Sequence, residues 1–219
     1  MSVATDPTPI AAPTRRRDRR RKLRAVLAAG LVLGVGGAVT LAAWNDSEFA
    51  TSTFTAGSFN LEGAEGAGTT FTQHATAGAA APLTFTTPFS NMAPGDAVYA
   101  PFAVRLAATT TTDASVTLAS ATPGGTGLAT NFAYGAALVA APGPAGCTSA
   151  TFSGGTIVVP DNTAISAVTG AVPFTLAKGT PVASAGVAKY LCFKVTAGAN
   201  LVQGQSNTAT WEIKATSTT

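Results

Sequence analysis

Two hydrophobic patterns divide the chain. Residues 25–43 are an uncharged run dominated by Ala, Val, Leu and Gly. From Trp44 onward no window longer than a few residues repeats its apolar positions every 3.6 residues, and apolar side chains recur at every second position instead. Val98, Ala100, Phe102, Val104 and Leu106 recur in this way, with intervening residues only partly polar, which predicts a strand with one buried face. Similar runs predict strands over 83–87, 114–118, 132–139, 156–159, 172–176, 188–195 and 208–215. Between them stand turn clusters at 93–96, 123–125, 141–144, 153–155, 178–179 and 198–200. Pro presets φ for the first central turn position and Gly tolerates positive φ, so each cluster ends a strand for a chemical reason. Many short strands at this spacing predict an all-β fold over residues 81–219, an antiparallel β-sandwich with jelly-roll-like connections, preceded by an N-terminal signal helix. Residues 62–80, rich in Gly, Ala and Thr, read as a loose loop.

Charge sharpens the division. Residues 1–43 carry eight basic groups, all between Arg15 and Arg24, against Asp6 and Asp18, a net charge of +6. Residues 44–219 carry five basic groups against eight acids, a net charge of −3, so the overall +3 describes neither part. A basic block, an apolar run and the small residues Ala42 and Ala43 are the order of a secretory signal, cut between Ala43 and Trp44 or one residue earlier. The alternative is a membrane anchor, since about 20 apolar residues span the hydrocarbon core. Gly30, Gly34, Gly36 and Gly37 weaken a helix there and favour cleavage. Arg20 and Arg21 before Leu23 also leave a twin-arginine route open. An arginine block directly before an apolar span is not read as a nucleic-acid site.

Cys147 and Cys192 are the only cysteines, both in the part read as exported, and are expected to form one disulfide rather than a redox pair, which usually has Cys-x-x-Cys spacing. Catalytic chemistry finds little material. His74 is the single histidine, so a His-Glu-x-x-His zinc site is excluded, and no Gly-x-Ser-x-Gly elbow offers it a nucleophile. The acids are scattered, with Asp46 and Glu48, and Glu62 and Glu65, as the close pairs. No catalytic, cofactor or metal residue is assigned, and no cofactor is expected.

The junction Ala42-Ala43-Trp44-Asn45-Asp46, followed by Phe54-Thr55-Ala56-Gly57-Ser58-Phe59-Asn60-Leu61, resembles that of the TasA, CalY and camelysin group of exported proteins, and especially the actinobacterial alternate-signal exported proteins. The turn Asn91-Met92-Ala93-Pro94-Gly95-Asp96 and the final strand Thr210-Trp211-Glu212-Ile213-Lys214-Ala215-Thr216 add looser matches, so about a third of the chain is covered. The resemblance implies a SipW-like signal peptidase as partner, a jelly-roll domain, and secretion to the cell surface or a biofilm matrix. It also implies fibres in which residues 44–61 are donated to a neighbouring copy. Trp44, Phe49, Phe54 and Phe59 are the candidate anchors. Alternatively, residues 54–61 pair in their own sheet. The charged helical insertions of the Bacillus-type pattern are missing, and the cysteine pair is an addition.

These readings lead to a secreted, non-catalytic structural or surface protein whose partners are itself or cell-envelope components, with no nucleic acid, and with the membrane only through an uncleaved signal. A monomeric binding module for envelope polysaccharide or protein is the second reading, and a hydrolase using His74 and dispersed acids the third. Mass spectrometry of the secreted protein is expected to find an N-terminus at Trp44 or Ala43; a chain retaining residues 25–43 would be anchored instead.

Overall fold

The computed structural model describes residues 15–40, 47–66, 68, 70–87, 89–127, 129–141 and 146–218. The chain divides into two compact units, Met1–Phe54 and Thr55–Thr219. In the first, α1 (Arg15–Thr40) joins the basic block and most of the apolar run in one helix. It passes through the glycines without a break, and Leu27 and Leu31 on it are exposed. Among the described residues no helix is long and apolar enough to cross a membrane. The Ala43/Trp44 junction and the cluster at 142–144 lie outside the described residues.

The second unit is an antiparallel β-sandwich. Its strands are β1 (Leu61–Glu65), β2 (Ala97–Leu106), β3 (Asp113–Gly125), β4 (Phe132–Val139), β5 (Thr156–Ala164), β6 (Phe174–Leu176), β7 (Lys189–Ala197) and β8 (Asn207–Thr218), with the short helix α2 (Ser149–Ser153) before β5. One sheet has the order β1-β2-β7-β4-β5 and the other β6-β3-β8. The pairs β4·β5, β3·β6 and β2·β7 are nested like rungs of one long hairpin folded on itself. That nesting is the jelly-roll pattern of a chain wrapped into two sheets.

Strand alternation builds the core. Val98, Val104 and Leu106 of β2, Leu191, Phe193 and Val195 of β7, and Ala114, Val116 and Leu118 of β3 meet between the sheets. Trp211 of β8 stacks obliquely on Phe193 and Tyr134, with centroids 5.1 and 5.5 Å apart. Tyr134 is fully buried and its hydroxyl donates to the Ala167 carbonyl at 2.8 Å. Three expectations are corrected here. Residues 62–80 are not loop throughout, because Leu61–Glu65 pairs along β2, where the Glu62 carboxylate reaches the Arg105 guanidinium at 3.1 Å. Pro123 and Gly124 do not turn; they continue β3 opposite Ala209 and Thr208, and Gly125, at φ 96° and opposite Asn207, is the last residue of the strand. Residues 83–87 join no ladder, and Thr87 already belongs to a turn.

Burial pushes the Tyr134 hydroxyl up from its usual 10.0 to about 12, opposed by the smaller effect of the Trp211 side chain. Trp211 Nε1 has no hydrogen-bond partner among the described residues, so the indole acts as a nearby dipole. Between these two pH values the unfolded chain has released the phenolic proton and the folded chain keeps it, so rising pH favours unfolding. The expected result is a urea midpoint that falls as pH climbs through this window, with a shallower fall in Tyr134→Phe.

Candidate functional site

The segment before β1 changes character at one residue. Residues 47–56 are exposed and make no backbone hydrogen bond to another described residue, and Phe49 and Phe54 are 95% and 92% exposed. At Gly57 the chain meets the loop between β2 and β3 so closely that any Cβ there would collide with the Thr111 side chain. The next residues are pinned. The Thr111 amide donates to the Ser58 carbonyl and the Ala107 amide to the Asn60 carbonyl, both at 3.0 Å. Ser58 Oγ donates to the Thr109 carbonyl at 2.6 Å, and the fully buried Thr110 lies 3.4 Å from the Asn60 amide. Of the four aromatic anchors, Trp44 lies outside the described residues, Phe49 and Phe54 are exposed, and Phe59 packs against the core of its own sandwich.

The outer face of the five-stranded sheet carries a second, smaller core. Cys192 points outward from β7, between inward Leu191 and Phe193, and bonds to Cys147 with Cα atoms 5.5 Å apart. Phe152 of α2, Ala137, Tyr99 and Val139 pack around the bridge. Helix α2 is short enough to depend on its cap: the Thr148 hydroxyl accepts from the Thr151 amide and Thr151 Oγ1 accepts from the Thr148 amide. Beside it, Lys194 Nζ reaches Asp161 Oδ2 at 2.6 Å across Gly135, where a Cβ would press on Phe152 and the Asp161 backbone. An open groove lined in part by Val139, Thr151, Val187, Lys189 and Tyr190 adjoins this region.

The remaining chemistry-bearing residues are held in local contacts. His74 Nδ1 lies 3.0 Å from the Ala79 carbonyl and Nε2 3.0 Å from Thr72 Oγ1, so the ring staples this loop. Asp96 accepts from the Ala93 amide, Asp113 from the Lys178 amide, and Glu212 from Ser120 Oγ. Among the described residues no three His, Cys, Asp or Glu side chains converge closely enough to hold a metal ion. Sequence reasoning missed the Gly57 pin, since its only signal is a glycine in an otherwise strand-like run. It also missed α2, whose capping box uses Thr151 where Glu or Gln is usual.

Chymotrypsin is expected to cut the folded protein after Phe49 and Phe54 and to spare Phe59. Gly57→Ala, which forces the chain off Thr111, is expected to expose Phe59 to the same enzyme; an unchanged cleavage pattern would mean that the pin does not depend on the missing side chain. No family model matches the chain, and no curated protein resembles it significantly in sequence.

Proposed function

We propose that this is an exported, non-catalytic structural protein that self-associates outside the cell through the segment preceding its sandwich. The observation that carries this reading is the exposure of Phe49 and Phe54 on a segment without backbone pairing among the described residues, directly before a chain pinned from Gly57 onward. Large apolar side chains on an unpaired strand-like segment gain by entering another sheet, where backbone hydrogen bonds supply affinity and alternate side chains supply register. The Cys147–Cys192 bridge suits an oxidising environment. The TasA-like junction around Trp44 points the same way, toward signal removal by a SipW-like peptidase and assembly into matrix fibres.

The groove beside Tyr190 and Lys189 supports a second reading, a monomeric module that binds envelope polysaccharide or protein. Size-exclusion chromatography and electron microscopy separate the two. Protein beginning at Trp44 is expected to form polymers at high concentration, and protein lacking residues 44–53 to remain monomeric. Two monomeric samples would overturn self-association and favour the binding module.

A further inference from the structure

One residue of the pin is held where its kind rarely stands. Thr109 is the third residue of the turn Ala107–Thr110, closed by the Thr110 amide on the Ala107 carbonyl at 3.3 Å, and its φ is 70°. Glycine usually occupies such a position, and a β-branched side chain there is strained against its own backbone. Asn162 is the one other non-glycine residue with a left-handed φ among the described residues, and asparagine tolerates it. Strain of this kind persists only where neighbours impose it.

The neighbours lie on two sides. Ser58 Oγ donates to the Thr109 carbonyl at 2.6 Å and stands 3.1 Å from Thr109 Oγ1, and Ser58 bridges the buried Thr110 in parallel register. On the other side the Thr109 amide donates to the Val182 carbonyl at 2.7 Å. That bond helps to hold the chain between β6 and β7. Among the described residues, the backbone of residues 180–188 is tied to the rest of the sandwich here and at one other point, from the Gly186 amide to the Leu106 carbonyl at 2.9 Å. Val187, which is 83% exposed, and Ala188 continue from this loop as one wall of the open groove.

We propose that Thr109 is a latch that couples the segment entering the sandwich to the wall of the groove. While Ser58 clamps its carbonyl, Thr109 keeps the left-handed turn and aims its amide at Val182. Any load on residues 47–56 falls first on this clamp, because the pin begins at Gly57. Withdrawal of Ser58 lets Thr109 relax to negative φ, which rotates its amide away from Val182 and leaves residues 180–188 with the Gly186 bond alone. The groove wall then loosens. Coupling of this kind is reciprocal, so a group that immobilises residues 180–188 also tightens the grip on Ser58. The latch acts within one chain and stands whether or not the chain polymerises.

Amide hydrogen exchange, followed residue by residue on the secreted protein, tests this. In Ser58→Ala the amides of Thr109, Gly186 and Ser184, the last bonded to the Pro181 carbonyl within the loop, are expected to exchange about ten-fold faster while β7 is unchanged. Glycine holds this φ without strain, so adding Thr109→Gly to Ser58→Ala is expected to return Ser184 and Gly186 most of the way to parental protection. Gly186→Ala, whose Cβ would press on the Ala177 carbonyl, is expected to speed exchange at the Thr111 amide on the far side of the latch. Ser184 and Gly186 unmoved in Ser58→Ala, or unrescued by Thr109→Gly, would overturn the latch. If Ser58→Ala exposes β7 as well, Gly186→Ala decides, and a Thr111 amide left at its parental rate overturns the coupling.

Discussion

Strand β7 is the constraint on which the molecule depends, because it is covered on both faces. Leu191, Phe193 and Val195 enter the space between the sheets, while Cys192 and Lys194 point outward to the disulfide and to Asp161. A slip of one residue in its pairing would exchange these sets, placing Cys192 in the main core and Phe193 over the outer face. The disulfide, the Phe152 cluster and the ion pair across Gly135 thus fix the same register that the core requires. With β7 held between β2 and β4, the nested wrapping of the remaining strands follows.

Legibility in the sequence tracks how strictly side chains alternate. Strand β2 was readable because Val98, Phe102, Val104 and Leu106 repeat at period two, and β4 because residues 132–139 are apolar between turn clusters. Strand β1 was not readable. Leu61–Glu65 contains a glycine and two glutamates, and becomes a strand through its partner, with Gly63 leaving room for the Phe102 ring and Glu62 meeting Arg105. Residues 83–87 show the opposite failure. Their alternation is real, since Leu83 and Phe85 face the core, but a single backbone bond, from the Thr86 amide to the Tyr99 carbonyl, ties them to a strand and no ladder forms. Side-chain pattern reports which face is buried, and pairing depends on a neighbour that local sequence does not name.

The candidate site was legible in part for the same reason. The aromatic residues of the N-terminal segment stand out in the sequence, but the boundary between exposed and pinned residues depends on Thr111, far along the chain and in contact at Gly57. Phe54 and Phe59 look alike as residues in a Phe-containing, strand-like run. One is almost fully exposed and the other packs on the core, and the difference lies in the loop between β2 and β3.

The bridge between Cys147 and Cys192 spans 45 residues and, in the chain-entropy model, disfavours the unfolded state by about 4 kcal/mol. Small domains are stable by only about 5–15 kcal/mol, so a large share of this fold's margin is conditional on oxidation. Wherever thiols are kept reduced, the unfolded population rises by roughly a thousandfold at the same temperature. The same sequence is then a weakly folded chain on one side of a redox boundary and a firmly folded one on the other.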